Sequence, residues 1–555
     1  VGQRGQGLEG QSVQSGPASW AELVQSTSSK LVRFRGPAGE PYCPAVEEVR
    51  GEQMRSWQHT VVLDPSRSEP LFLQLSDALQ QDIRCGRLRP GTRLPGSRSL
   101  AETLGVHRNT VLAGYGELIA QGWLNTRPAG GTFVARDLPP GSTRMPRERL
   151  KARLSLAPGF PLGPPVPSAR IPDFPPDVLV LAKGAPDVRR MPAAELSRAY
   201  RRALARHGRA LLGYGDPRGH PRLRAALAEM LASTRALPAS EETVFITRGS
   251  QMALDLIARA LLGPGDVVAV EGLGHPGAWA ALRLTGASLV PVPVDAHGVN
   301  VAALASLAEQ RPLRAIYLTP HHQFPTTSVL PAARRMALLE LARRHRTVVI
   351  EDDYDHEFHY DGRPVLPLAS RDEAGVVIYV GTLSKVLAPG LRIGYLVAPG
   401  ALIARITELR VSTDLQGDQA HECAVAELFE DGDLVRHVRR MRRVYRGRRD
   451  ALVEALRRHL GSVVQVTPPA GGMALWARVD PAVDLDRWSE CGVEHGVGFL
   501  PGRRYAFDGG QVHAVRLGFT PLDEQELDEA ARRMATALRE MAPRSSQARG
   551  ASQGS

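Results

Sequence analysis

The spacing of apolar positions divides the chain into two differently patterned regions. Over residues 70–86, Leu71, Leu75, Leu79 and Ile83 recur four apart and so share one face of a helix, which Gly86 closes. A short second helix is expected at Ser99–Leu104, after the turn Leu94-Pro95-Gly96-Ser97. Gly105-Val106-His107 then turns the chain into a third helix, Arg108–Ala120, with Val111, Tyr115 and Leu118 facing inward. Gly122–Arg127 and Gly130–Val134 read as the two strands of a hairpin. From about Leu181 to Met541 the pattern changes. Short apolar runs, Thr243–Thr247, Val267–Val270, Ala315–Leu318, Thr347–Glu351 and Val376–Val380, alternate with helical stretches rich in Ala, Leu and Arg. Unbroken apolar runs are strands buried on both faces, so this region is expected to be an α/β domain around a mostly parallel central sheet.

A chain of 555 residues exceeds what one hydrophobic core usually serves. The expected division is a disordered N-terminal extension at 1–67, a small helical domain at 68–136, a Pro-rich linker at 137–180, the α/β domain at 181–541 and a disordered tail at 542–555. No apolar run approaches the roughly 18 residues of a membrane span, so no membrane partner is expected. The net charge of +11 permits a polyanionic partner without specifying one. Cys43, Cys85, Cys423 and Cys491 are scattered, with no Cys-x-x-Cys pair and no histidines at metal-finger spacing, so neither a disulfide framework nor a metal site is expected. With no export signal in the first residues, the cytoplasm is the expected compartment.

Two short helices joined by a glycine-containing turn form a helix-turn-helix, and the second presents Arg108, Asn109 and Thr110 at its N-terminus, where the major groove is read. The hairpin that follows is a wing. The run PLFLQL, then GRLRPGTRLPGSRSLAETLGVHRNTV and GGTFV, resembles the GntR winged-helix family over residues 70–135. The resemblance implies double-stranded DNA as partner, with Arg98 and Arg108 on phosphates or bases and Thr110 and the wing near Gly131 on the backbone. His107 departs from the family, which usually has a small polar residue there. A packing or protein-interaction module is the competing reading, because the region carries 8 Arg against 5 acidic residues, a modest excess.

In the second region Gly381-Thr-Leu-Ser-Lys385 follows a strand, which places Lys385 where open α/β sheets hold their ligands. A lysine there can form a Schiff base with an aldehyde cofactor. Asp352, at the end of the preceding strand, suits the carboxylate that keeps a pyridine nitrogen protonated. Tyr354, two residues on, can donate to a phenolic oxygen. Thr247-Arg-Gly-Ser250-Gln251 joins a strand to a helix and offers its amides to an anion, while Thr382, Ser384 and Arg392 add donors from the lysine side.

The segments TRGSQMALDLIARALLGPGD, EDDYDHEFHYDGRP and VIYVGTLSKVLAPGLRIGYLVAP resemble fold-type-I aminotransferases, in the form found in the MocR subfamily of GntR regulators. The resemblance covers about residues 183–540. It implies pyridoxal 5′-phosphate held by Lys385, Asp352, Tyr354, Ser250 and Arg392, with Tyr214 reaching the phosphate of the partner in a homodimer. Arg516 corresponds to the arginine that grips an amino-acid carboxylate. His275 stands where an aromatic ring usually stacks on the cofactor, Phe324 replaces an Asn, and Thr327 replaces a Gly. A regulator sensing an amine or amino acid is the leading expectation. A catalytically active aminotransferase and a sensor of the cofactor alone are the alternatives. Leu434–Arg449 carries eight arginines and no acid, with Val435, Val438, Met441 and Val444 as its expected apolar stripe; it reads as a packed helix with a solvated basic face, or as an auxiliary DNA contact.

Overall fold

The computed structural model describes residues 61–127, 130–139, 161–162 and 172–541, in two compact units divided between Pro164 and Pro165. Most of the expected extension and linker, and the whole tail, lie outside the described residues.

The first unit consists of α1 (Leu71–Arg84), α2 (Ser97–Leu104), α3 (Arg108–Ala120) and the antiparallel pair β1 (Leu124–Arg127) and β2 (Gly131–Val134). Leu75, Leu79, Ile83, Leu100, Val111, Tyr115, Leu118 and Trp123 form its core. The Tyr115 hydroxyl donates to the Pro95 carbonyl at 3.0 Å and so fixes α3 to the turn before α2. α2 starts at Ser97 rather than Ser99, because Gly96 takes the extended conformation of an N-cap. β1 starts at Leu124 because Gly122, at φ 78°, still belongs to the turn.

The second unit opens with β3 (Leu179–Val180), α4 (Ala193–Leu211), α5 (Pro221–Arg235), β4 (Val244–Thr247), α6 (Ser250–Leu261), β5 (Val267–Glu271), α7 (Pro276–Arg283) and β6 (Ser288–Val292). A small hairpin, β7 (Val294–Asp295) and β8 (Gly298–Val299), leads to α8 (Val301–Gln310), β9 (Ala315–Leu318), α9 (Ala332–His345), β10 (Val348–Asp353), β11 (Val377–Thr382) and β12 (Gly394–Val397). There follow α10 (Gly400–Thr413), α11 (Gln419–Glu430), α12 (Asp433–Leu460), β13 (Val464–Val466), β14 (Ala474–Val479), α13 (Leu485–Glu494), β15 (Val497–Gly498), β16 (Leu500–Pro501), β17 (Ala514–Gly518) and α14 (Glu524–Met541).

Seven strands form the main sheet in the order β4-β12-β11-β10-β9-β5-β6, and β12 alone runs against the rest. Alternate residues feed opposite faces: Phe245 packs with Leu254 and Ile257 of α6, while Val244 and Ile246 pack with Leu223 and Leu227 of α5. A second, antiparallel sheet of order β13-β14-β17-β16 packs its core with Trp488, Phe499, Leu527 and Met534. β3 pairs in parallel with β15, so Leu179 and Val180, which the sequence pattern left in the linker, are strand residues.

The 28-residue α12 corrects one end of the expected stripe, since Met441 is buried and Val438 and Val444 pack partly buried against the core, but Val435 does not. Val435 is 46% exposed, and the buried face is Leu434, His437, Met441, Tyr445, Arg448 and Leu452. Two of its arginines are structural. Arg448 pairs with buried Asp187 at 2.9 Å, and Arg449 pairs with Asp361 and donates to the Pro469 carbonyl at 2.8 Å. A guanidinium shares its stem with apolar neighbours while its head finds oxygen partners, so the positive run does not mark one solvated face.

Candidate functional site

The carboxyl ends of β9, β10 and β11 and the start of α6 enclose a cavity of about 380 Å³. Lys385, three residues beyond β11, is half-buried in its wall, and its Nζ donates to the Gly184 carbonyl at 2.8 Å. Burial, helped by the Arg516 charge, lowers its ammonium to about 8. Asp352 lies on the adjacent strand in register with Val380. Its Oδ2 accepts from the Tyr317 hydroxyl at 2.9 Å, and its Oδ1 is buried with no partner. Burial raises this carboxyl to about 7, against the lowering effect of the Tyr317 hydrogen bond. Tyr354 also lines the cavity, and its hydroxyl donates to the His322 carbonyl at 3.0 Å.

An anion cradle occupies the side of the cavity beside α6. Gly249 sits before that helix at φ 82° and ψ 167°, a conformation that suits glycine, and a Cβ on it would stand 3.0 Å from the Arg392 guanidinium. No side chain caps α6, so the Ser250 and Gln251 amides at its start are available to an anion, while those of Met252 and Ala253 donate to the Gly249 carbonyl. Thr382 Oγ1 donates to the Ile393 carbonyl at 3.1 Å and accepts from the Ser384 amide at 3.1 Å, while Ser384 Oγ is buried without a partner. Arg392 Nη2 donates to the Arg248 carbonyl at 2.7 Å, and Gln251 Nε2 donates to the Gly277 carbonyl at 2.8 Å.

His275 caps α7, with Nδ1 accepting from the Ala278 amide at 3.1 Å. Burial, with the charges of Lys385 and Arg516, lowers it to about 4, so the ring is a neutral imidazole. It meets Phe324 edge to face, with centroids 5.2 Å apart. The Arg516 guanidinium carbon lies 4.5 Å from the Phe324 centroid. Arg516 projects from β17, is only 4% exposed, makes no ion pair among the described residues, and has an unpartnered Nε. Gly184 leaves room for it: a Cβ there would stand 2.9 Å from Arg516 Nη2. Thr327 adopts φ 62° where the related turn has glycine.

Lys385, Asp352, Tyr354, Ser250, Gln251, Thr382, Ser384, Arg392, His275 and Arg516 therefore come together around one cavity. Tyr214 does not join them; its side chain is 88% exposed. Tyr317, Thr319 and Tyr505 line the cavity unforeseen. Tyr317 lies in a strand the sequence predicts, but its bond to Asp352 depends on the register between β9 and β10. Glu271, raised to about 8 by burial, accepts from the Thr319 hydroxyl at 2.8 Å, and that hydroxyl accepts from the Phe324 amide at 2.8 Å.

In the first unit Arg98, Arg108 and Asn109 are exposed and Thr110 is half-buried. Arg108 Nε donates to Ser97 Oγ at 3.2 Å, linking the starts of α2 and α3. His107 does the capping work of the small polar residue it replaces: its Nδ1 accepts from the Asn109 amide at 3.2 Å. In the wing, Gly131 at φ 97° passes close to the Arg93 guanidinium.

Comparison with known proteins agrees with both units. The family model for bacterial regulatory proteins of the gntR family matches residues 71–134, and that for aminotransferase class I and II matches residues 176–534. The "Probable rhizopine catabolism regulatory protein MocR" of Rhizobium meliloti is 34% identical over 84% of this chain and 94% of its own. The chain belongs to the MocR-type GntR regulators. Another relative, the HTH-type transcriptional regulator TauR of Rhodobacter capsulatus, is 32% identical over 86% of this chain and 98% of its own. Among solved structures, the α-aminoadipate aminotransferase LysN of Thermus thermophilus, complexed with N-(5′-phosphopyridoxyl)-L-leucine, matches with a TM-score of 0.62 and 32% identity over 66% of this chain and 93% of that chain. The fold class and family expected from the sequence are thus both found. Pyridoxal 5′-phosphate is the cofactor of a MocR-type second unit, and the residues present fit it. Asp352 Oδ1 is an acceptor awaiting a ring N–H, and Ser384 Oγ awaits an acceptor beside the α6 amides. No helix among the described residues is long and apolar enough to cross a membrane.

Proposed function

We propose that this regulator takes up an amine or amino acid at the Lys385 cavity and converts that occupancy into altered binding of double-stranded DNA. The bound cofactor supplies an aldehyde carbon that exchanges amine partners and a ring that withdraws electrons. The chain does the rest. Lys385 offers an amine of which a far larger share is neutral near physiological pH than for an ordinary lysine, because burial has lowered its pKa to about 8. Asp352 holds a proton on the ring nitrogen, Tyr354 donates to the phenolic oxygen, and His275 flanks the ring as a neutral imidazole. Ser250, Gln251, Thr382, Ser384 and Arg392 hold the phosphate. Tyr214 of a second protomer completes that cradle in a homodimer, a reading supported by its exposure on its own chain. Arg98, Arg108, Asn109, Thr110 and Gly131 form the DNA face of a domain spanning 68–136, joined by a linker to an effector domain that includes Leu179 and Val180 and runs to 541, in a cytoplasmic protein.

One observation carries the effector reading: Arg516 is a buried guanidinium that makes no ion pair among the described residues, in the same cavity as Lys385. A buried charge without a counter-ion is costly, and a ligand carboxylate gripped bidentately relieves that cost. Arg516→Ala is therefore expected to abolish the effect of amino acids on cofactor absorbance and DNA affinity, while leaving cofactor binding and the response to simple amines. An amino-acid response equal to the native protein's would remove Arg516 from the effector site. The second reading, an active aminotransferase, is favoured by the presence of Lys385, Asp352, Tyr354 and Arg516 together in one cavity. Sustained amino transfer at about 1–10³ s⁻¹ with no ligand effect on DNA binding would establish it in place of the sensor.

A further inference from the structure

Next to the cavity, and outside every role assigned so far, the loops after β9 and β10 bring four histidines together. His321 and His322 come from the first loop and His356 and His359 from the second. The ring centroids of His321 and His322 are 4.2 Å apart, and His321 stacks on His356 at 4.4 Å. His359 lies 6.0 and 6.1 Å from His321 and His322. Both ring nitrogens of His321 and of His356, Nε2 of His322 and Nδ1 of His359 are buried with no hydrogen-bond partner. Buried polar atoms in native proteins are nearly always satisfied, so such a concentration of orphans calls for an occupant.

We propose that His321, His322 and His359 bind a divalent transition-metal ion of the zinc class. One ligand nitrogen from each residue lies within 4.8 Å of those from the other two. Nitrogens around one tetrahedral ion at normal bond lengths stand roughly 3.4 Å apart, a distance that small side-chain rotations reach. His322 already has the outer partner that metal-binding histidines need: its Nδ1 lies 2.7 Å from Asp355 Oδ1, which fixes the tautomer and leaves the Nε2 lone pair for a metal. Gly471 keeps the space before that nitrogen clear, since a Cβ there would stand 2.5 Å from Nε2. His359, 9% exposed, is the least buried of the three. A fourth position remains for water.

A second set of suitable spacing, His321, Asp353 and His356, is disfavoured by its surroundings. Asp353 Oδ2 already accepts from the Tyr379 hydroxyl at 2.7 Å and lies 2.9 Å from His356 Nδ1. The buried Arg235 guanidinium, 3.9 Å away, repels a further cation. Neutral imidazoles with a carboxylate behind one of them suit zinc, cobalt or nickel better than calcium or magnesium. The ion braces the cavity wall, because Tyr354 bonds the carbonyl of His322.

The test is to strip full-length, cofactor-loaded protein with a chelator and titrate it with Co²⁺. One equivalent is expected to bind, with visible d–d absorption of four-coordinate intensity that Zn²⁺ displaces. His321→Ala and His359→Gln should each weaken binding by more than about 100-fold, and Asp355→Asn by about 10–100-fold. His356→Ala should leave affinity within about threefold of native. Cofactor absorbance and thermal melting of the stripped variants serve as folding controls, and His359→Gln, at the least buried of the three, is decisive if His321→Ala does not fold. No saturable Co²⁺ binding, binding unaffected by His359→Gln, or binding lost in folded His356→Ala would each overturn the proposal.

Discussion

Lys385 and Asp352 show how a nonpolar setting changes what an ordinary side chain can do. An amine attacks an aldehyde only when it is unprotonated, and the Lys385 ammonium titrates at about 8 rather than in the usual lysine range. The sign follows directly: capture of added cofactor by the stripped protein should quicken as pH rises through about 8, then level off. Stopped-flow absorbance would measure it, and a rate still climbing toward pH 10 would contradict the depressed pKa. Lys385→Ala should lose the visible band altogether. These residues were legible because each has a fixed place at a strand end. Tyr317, Gly184 and the histidine cluster were not, because their partners lie in other segments and only strand register unites them. His321 and His359 stand far apart in the chain, and no local spacing signals a shared ligand.

At the scale of elements, the sequence pattern located α1, α3 and the inner sheet strands well, since their cores repeat with period four or run unbroken. It was weaker where polar residues end a strand. β10 runs on to Asp353 and β11 to Thr382, because buried acids and hydroxyls continue a ladder without any apolar signal. α12 misled for a related reason: Arg448 and Arg449, read as part of a solvated basic face, are buried, while Val435 of the expected apolar stripe is exposed. The DNA-reading element can be tested by itself. Arg108 opens α3, exposed and steadied by Ser97. Arg108→Ala should weaken specific operator binding by about 1–3 kcal/mol if the guanidinium reads a base. Equal affinity at matched salt in a gel-shift assay would exclude it from the interface.

For the whole molecule, the exposure of Tyr214 makes the proposed homodimer testable by mixing. Lys385→Ala chains and Tyr214→Ala chains are each expected to bind cofactor poorly. A heterodimer of the two should regain one intact site, built from the lysine of one and the tyrosine of the other. Titration of separated heterodimers would show this as one tight site per dimer, and its absence would mean that Tyr214 acts within its own chain or not at all. Gly184 has a consequence of a different kind. Its carbonyl takes the lysine amine, and its missing side chain makes room for the arginine. A methyl group there would crowd the guanidinium without removing any group assigned to the cofactor. Gly184→Ala should therefore yield a deaf receptor, coloured by its cofactor and able to find its operator, yet giving one output at every concentration of amino acid. Isothermal titration with amino acids beside a DNA-binding curve would reveal it, and an unchanged dose–response would show that the pocket has slack. A single hydrogen atom in place of a methyl would then set the width of the channel through which this regulator hears its surroundings.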